Sequence, residues 1–193
     1  MGFWDVLKGQ TKPRPARLDA LFSLPSAAMT LEASLGLTPT GVGSVCFRAA
    51  EGQASGVSQQ EATDLIDFDG GPAVEDHVDE FGYTWLTVRT DPPDAGALVT
   101  DLHAVNSSLE AQGFGSSLLC SVVSFASRTQ GQQDEQRSYV VYLYKRGTFY
   151  PFCPTGPSSR DGVRERQVRD AVGGDLPVEQ DTGRWMPVWG LTE

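Results

Sequence analysis

The sequence predicts an α+β protein in which an antiparallel sheet of about five strands packs against helices. Three segments have the three- and four-residue apolar spacing of amphipathic helices. Five others are short and rich in β-branched and aromatic residues, as strands are. Strands and helices do not alternate regularly, which argues against a doubly wound parallel sheet. The predicted order is α-β-β-α-β-β-β-α.

The first helix is predicted from about Leu18 to Leu35, where apolar residues form a stripe. Pro25 interrupts this stripe, so we expect a kink or a new helix start near residues 23–26. Gly36 is a suitable end, because glycine tolerates the left-handed conformation that closes many helices.

Two strands follow, at residues 43–49 and 83–89. In the second, Tyr83, Trp85 and Thr87 alternate with apolar residues on the other face. Residues 50–80 between them are dominated by Gly, Ser, Gln and acids, and we expect an exposed acidic loop there.

The clearest helix is predicted from Ala95 to Gln112, capped by the preceding Asp-Pro-Pro-Asp segment and ended by Gly113. Three more strands are predicted at residues 118–126, 139–144 and 149–153. Pro151 marks the last of them as an edge strand or a short one, since proline cannot donate to a neighbouring strand.

A final helix is predicted from Asp161 to Val172, and the tail beyond it carries Trp185 and Trp189, which should pack back on the body. Residues 1–16 form an amphipathic stub and a proline-containing linker. Residues 17–193 are expected to form a single α+β domain.

The charge is unevenly distributed. The whole chain carries −10, but residues 1–18 hold four basic side chains against one acid, a net +3 that leaves −13 on the rest. An acidic body argues against nucleic-acid binding, which relies on neutralising phosphates. The sequence contains no apolar run of about 18 residues, and its start lacks the pattern of a secretion signal. We therefore expect a cytoplasmic location.

The basic stub is a candidate for contact with an anionic membrane surface at the inner face of the cell membrane. Its apolar residues would enter the interface while its basic residues meet lipid head groups. The alternative is that the stub docks on its own domain or frays. The candidate membrane-contact residues are Phe3, Trp4, Leu7, Lys8, Lys12, Arg14 and Arg17.

A second candidate surface comes from the aromatic residues of the predicted hairpin near residues 139–153. If some of them are exposed, they form a patch of the kind that binds partners. The alternative is that they belong to the core or are covered by the chain itself. The candidate partner-binding residues are Tyr142, Tyr144, Phe149 and Tyr150.

Catalytic and metal-binding patterns are not found in the sequence. His77 and His103 are not in a metal-ligand spacing. The three cysteines are widely spaced, so we expect buried core residues rather than a metal or redox site. No phosphate-binding glycine loop or nucleophile elbow is present. We therefore expect no metal, no cofactor and no enzymatic activity.

Several segments together resemble the actinobacterial PspA-associated protein family PspAB. They are MGFWDVLKG, LDALFSLPSAAMTLEASLGLTPTG, HAVNSSLEAQGFGSSLLCSVVSF, YVVYLYKRGTFYPF and GGDLPVEQDTGRWMPVW, between residues 1 and about 189. The resemblance implies a place in the phage-shock, or envelope-stress, system. It implies as partner the PspA coiled-coil protein or a membrane protease of the HtpX type. The element order is also similar to that of YbjN and type III secretion chaperones, a likeness of topology alone.

The leading hypothesis is a non-catalytic cytoplasmic adaptor or regulator of the PspA phage-shock response, which acts through protein contacts and through the membrane surface. One alternative is a chaperone-like module that holds client polypeptides, and another is an enzyme of an unrecognised type. The sequence leaves the oligomeric state open.

Overall fold

The structure, a computed structural model, describes residues 17–48, 72–127, 136–189 and 191. Within these ranges, the α-helices are α1 (Leu24–Leu35), α2 (Ala95–Ala111) and α3 (Gly162–Val172). The strands are β1 (Thr38–Phe47), β2 (Glu75–Val78), β3 (Thr84–Arg89), β4 (Leu118–Ser127), β5 (Gln136–Leu143), β6 (Thr148–Phe152), β7 (Pro154–Gly156) and β8 (Ser159–Arg160).

The first six strands form one antiparallel sheet in the spatial order β2-β3-β1-β4-β5-β6. The predicted α+β class with an antiparallel sheet and packed helices is therefore confirmed, with six strands in the main sheet rather than about five. The remaining two strands, β7 and β8, form a separate short hairpin.

The new helix start predicted near Pro25 is confirmed. A 3-10 helix covers Leu18–Ser23, and α1 begins at Leu24 with the proline in its first turn, where the missing N–H costs nothing. The helix ends at Gly36, whose φ of 62° lies in the left-handed region that glycine adopts without strain.

The prediction of an exposed loop over residues 50–80 is wrong near the C-terminal end of this range, because residues 75–78 form β2. This strand pairs antiparallel with β3, in a register that places His77 opposite Trp85. Its residues are mostly polar and exposed, so it shows none of the apolar alternation by which strands are recognised. Residues 50–71 of the predicted loop lie outside the described residues.

The helices cover one face of the sheet. Helix α2 crosses β1 closely at Gly43, where a β-carbon would lie 3.0 Å from a Leu102 methyl carbon. Leu86 and Val88 of β3 face this helical layer, whereas Trp85 faces the other way. The sheet thus separates two apolar clusters, and its central strands are buried on both sides.

The C-terminal tail passes around the β6 edge and reaches the second face. At the edge, the Phe149 N–H donates to the Pro177 carbonyl at 2.9 Å, and the Glu179 N–H donates to the Phe149 carbonyl at 2.7 Å. The tail then places Trp185 and Val188 in the second apolar cluster. The prediction that the tail packs back on the body is confirmed for Trp185, which is buried, and for Trp189, whose ring lies 4.8 Å from that of Phe152.

A half-buried arginine, Arg160, fixes the tail to the rest of the fold. The Arg160 guanidinium donates from Nε to Glu165 and from Nη1 to the Trp185 carbonyl, both at 2.7 Å. The same group lies 5.0 Å from the centre of the Phe152 ring. Because one rigid, planar cation contacts a helix, a strand and the tail, these three elements are held in one arrangement.

The outer strands of the sheet are β2 and β6. Strand β6 contains Pro151 and is one of these outer strands, so the edge position predicted for that segment is confirmed. None of the helices in the described ranges is both long and apolar enough to cross a bilayer.

Candidate functional site

An apolar cleft of about 510 Å³ lies on the sheet face opposite the helices. Its floor is a row of directly paired residues from four neighbouring strands: Trp85 of β3, Cys46 of β1, Cys120 of β4 and Leu143 of β5. Because partners in an antiparallel register point to the same side of the sheet, these four side chains form one continuous surface. A cleft of this size is within the range that holds a ligand or a partner side chain, about 300–1,000 Å³.

The turn between β2 and β3 forms one wall of the cleft. Asp79 organises this turn, since its Oδ1 accepts the backbone N–H groups of Phe81 and Tyr83, both at 2.9 Å. Its Oδ2 accepts the indole N–H of Trp85 at 2.9 Å, which fixes the turn to the floor. Phe81 lines the cleft and is 54% exposed, so the wall presents an aromatic ring to solvent.

The tail forms the opposite wall through residues 186–189. The Tyr150 hydroxyl on the floor donates to the Met186 carbonyl at 2.8 Å, and its ring stacks on Trp185 with centres 6.2 Å apart. Met186 is 61% exposed at the rim. The cleft therefore has an exposed apolar side chain on each of its two walls.

The turn after β5 brings two cations to the mouth of the cleft. Arg146 is engaged, because its Nε donates to the buried Glu179 carboxylate at 3.1 Å. Lys145 forms no ion pair with any of the residues that the structure describes. The positive charge of Lys145 is therefore available to a bound group.

Glu179 supports this end of the cleft. It also accepts hydrogen bonds from the Thr148 hydroxyl at 3.0 Å and from the Asp181 N–H at 3.1 Å. Burial alone would raise the pKa of the Glu179 carboxyl, but the hydrogen bonds from Asp181, Thr148 and Arg146 outweigh it and lower that pKa. The carboxylate is thus held ionised.

The two thiols on the floor contact each other. A side-chain hydrogen bond with Cys120, followed by burial, raises the pKa of Cys46 well above its usual range. All three cysteines are free and buried, which confirms their predicted burial. No sequence pattern indicates that two of them, 74 positions apart, are direct neighbours.

Six of the seven predicted membrane-contact residues lie outside the described residues: Phe3, Trp4, Leu7, Lys8, Lys12 and Arg14. Arg17 is described and exposed. Its side chain packs against Gly147, where a β-carbon would lie 3.1 Å from Arg17 Cβ. Because Gly147 directly follows Arg146, which lines the cleft, Arg17 lies near the mouth of the cleft.

The four candidate partner-binding residues do not form an exposed patch, because all four are buried. Tyr142, Tyr144 and Phe149 belong to the helical side of the core, and the Tyr144 hydroxyl donates to the Glu110 carboxylate. Tyr150 lies on the other face but is covered by the tail. The alternative of core or self-covered residues therefore holds. Tyr150 is the member of this group that lines the cleft.

The two histidines are separated in the structure. His77 stacks on Trp85 with ring centres 6.5 Å apart, and the His103 ring on α2 lies 5.1 Å from that of Phe22. Among the described residues, no three His, Cys, Asp or Glu side chains converge on a point that could hold a metal ion.

The residues that shape the cleft were not identified from the sequence. Phe81 and Met186 lie in irregular segments more than 100 residues apart, and only the packing of the tail on the sheet brings them to the same cleft. Lys145 lies in the turn between β5 and β6, and its position at a cleft depends on the same packing.

Comparison with known proteins gives one match. The family model described as PspAB, PspA associated protein B, matches residues 1–192. No curated protein and no solved structure matches the chain.

Proposed function

Since the chain belongs to the PspA associated protein B family and has a PspA-related role, we propose that it is a non-catalytic adaptor that binds a PspA-type coiled-coil protein directly. The supporting observation is the cleft, which offers an apolar floor between two walls with exposed apolar side chains. Exposed apolar concavities of this kind commonly mark sites of protein contact.

The occupant that fits this cleft is an amphipathic helix of the coiled coil. Helices dock in apolar grooves by inserting side chains from one face. Trp85 and Leu143 would receive the inserted side chains, and Phe81 and Met186 would flank them. Lys145, which has no ion-pair partner among the described residues, would attract an acidic residue beside the apolar stripe of the helix.

Binding between the purified chain and a purified PspA-type protein tests this proposal by calorimetry. Phe81→Ser and Met186→Ser are each expected to weaken binding about tenfold. The matched control is Met29→Ser, because Met29 is 74% exposed on α1, on the opposite side of the sheet. Equal affinity of all four proteins would reject the cleft as the binding site.

The same experiment separates the adaptor from the chaperone-like alternative. A chaperone-like module would bind a permanently unfolded polypeptide as well as it binds the coiled coil, whereas an adaptor would prefer the folded protein. An HtpX-type protease is the second proposed partner, and the purified protease serves as a third titrant.

We also propose a contact between residues 1–17 and an anionic membrane surface. The support is the apolar and basic composition of this segment, together with the exposure of Arg17 where it joins the body. This contact would place the cleft near a membrane-associated partner.

A further inference from the structure

Cys46 and Cys120 lie directly opposite each other on the two central strands β1 and β4. Both side chains belong to the apolar cluster on the cleft side of the sheet, and both line the cleft. Cys153 is in a different environment, since it belongs to the helical-side cluster and its sulfur contacts the Ser138 hydroxyl at 3.4 Å.

The sheet holds the two strands at a separation that suits a disulfide. Direct partners on antiparallel strands have Cα atoms about 4.5 or 5.5 Å apart, depending on the type of pair. Disulfides accept Cα separations of about 4.4–6.8 Å. A bond between Cys46 and Cys120 therefore requires no large movement of the backbone.

The cleft gives a small reagent access to the pair. Cys120 is 8% exposed and Cys46 is 3% exposed, so the reagent meets Cys120 first. Cys46 stays protonated, because its hydrogen bond with Cys120 and its burial both raise its pKa. The greater exposure of Cys120 makes it the thiol that reacts with the reagent, and the adjacent Cys46 resolves the product, losing its proton as the S–S bond forms.

We propose that Cys46 and Cys120 are a modification site, at which a hydroperoxide converts two thiols into a disulfide across the floor of the cleft. The Cys120 sulfur attacks the peroxide, the O–O bond breaks, and a sulfenic acid forms as water or an alcohol leaves. The Cys46 sulfur then attacks the Cys120 sulfur. The S–O bond breaks, the S–S bond forms, and the hydroxyl leaves as water with the Cys46 proton.

This bond regulates the cleft. It removes both S–H groups and draws together two sulfurs at the centre of the floor, so the surface that receives an inserted side chain changes shape. We expect the affinity for the coiled-coil partner to fall by about fivefold or more. This regulatory part rests on the proposed function, whereas the formation of the bond does not.

The bond is tested on the full chain treated with hydrogen peroxide, alkylated under denaturing conditions and examined by intact mass and peptide mapping. The expected product has lost the mass of two hydrogen atoms, contains a linked Cys46–Cys120 peptide and is alkylated at Cys153. Cys153→Ala should behave as the wild type, while Cys46→Ala should give no intramolecular bond. Oxidation to sulfinic acid without a linked peptide, or a link that includes Cys153, would overturn the proposal.

The regulation is tested by titrating the same partner into reduced and oxidised protein. Weaker binding after oxidation, restored by a thiol reductant and absent in Cys46→Ala, is the expected result. Equal affinity of both forms would overturn the regulation. If the linked peptide forms but the reduced protein does not bind the coiled coil, the proposed function fails and the modification site stands.

Discussion

The hydroxyl of Tyr150 donates a 2.8 Å hydrogen bond to the carbonyl oxygen of Met186, so the floor of the cleft holds one of its walls. Tyr150→Phe removes this bond and leaves the ring in place. We expect the free energy of unfolding to fall by about 0.5–1.5 kcal/mol, measured by urea denaturation. Hydrogen exchange should also become faster at the backbone amides of residues 185–189.

The matched control is Tyr139→Phe. Tyr139 is a buried tyrosine on the same sheet face, and its hydroxyl makes no hydrogen bond to the described residues. This variant should leave the exchange of the tail unchanged. Faster exchange in both variants would show that the hydroxyl of Tyr150 has no specific role in holding the tail.

The ionised carboxylate of Glu179 makes a contribution to the stability of the fold that depends on pH. Its pKa is lowered in the folded protein, so its contribution to stability is complete above the pKa of the unfolded chain. That contribution is lost as the pH falls through the folded value. Glu179→Gln should lower the free energy of unfolding by about 1.5–3 kcal/mol near neutral pH. The variant should also lose less stability than the wild type when the pH falls below the ordinary pKa of glutamate. Urea denaturation between pH 3 and pH 7, about the range in which carboxylates titrate, measures both effects.

The pKa of the Asp175 carboxyl is also lowered in the folded protein, so this residue serves as the comparison. Hydrogen bonds from Thr30 and then from Ser26 lower the pKa of its carboxyl. The Asp175 side chain is more exposed than that of Glu179. Asp175→Asn should therefore change the fall in the free energy of unfolding at acidic pH much less than Glu179→Gln does. A larger change for Asp175→Asn would contradict the role assigned to the buried carboxylate.

Gly41 lies where β1 meets the end of β3, and we expect any side chain at this position to destabilise the fold. Its φ is 81°, and a β-carbon would lie 2.4 Å from the Thr90 carbonyl oxygen. Gly41→Ala should cost about 3 kcal/mol or more, from backbone strain and steric overlap together. Gly36→Ala has a similar φ of 62° with nothing within 4 Å of the new carbon, so it should cost only about 1–2 kcal/mol. Thermal unfolding of the two variants gives the comparison.

The N-terminal stub should bind anionic vesicles. Deletion of residues 1–15 should abolish co-sedimentation with vesicles rich in phosphatidylglycerol, and salt should weaken the binding of the full chain, because basic residues supply much of the attraction. Neutral phosphatidylcholine vesicles are the control. Co-sedimentation that is the same with and without the stub would reject a membrane role for it.

The elements that the sequence predicted well are those whose periodicity reflects burial. Helix α2 was predicted from Ala95 to Gln112 and runs from Ala95 to Ala111, because its apolar residues face the sheet along the whole helix. The start of β1 was missed, since Thr38-Pro39-Thr40-Gly41 has no apolar residue. Strand β2 was missed because Glu75–Val78 contains a single apolar residue and no apolar alternation, so its backbone pairing with β3 has no side-chain pattern.

The cleft could not be predicted, because it depends on contacts between distant segments. Alternation within β5 and β6 shows that half of the aromatic residues face each way, but it does not show which face the tail covers. Two side chains determine which face the tail covers. Arg160 donates a hydrogen bond to the carbonyl of Trp185, and Tyr150 donates one to the carbonyl of Met186. Backbone acceptors have no sequence signature, so tertiary contacts of this kind become visible only in the structure.

The two outer strands also determine how the molecule behaves at high concentration. On one side, Pro151 offers no N–H, and the tail already occupies both backbone groups of Phe149. On the other side, β2 is four residues long and carries Glu75 and Asp76. Sheets propagate from molecule to molecule when an outer strand offers a long, uncharged row of free backbone groups. Because neither outer strand of the described sheet offers such a row, the cleft can expose apolar side chains without promoting the growth of fibrils from these edges.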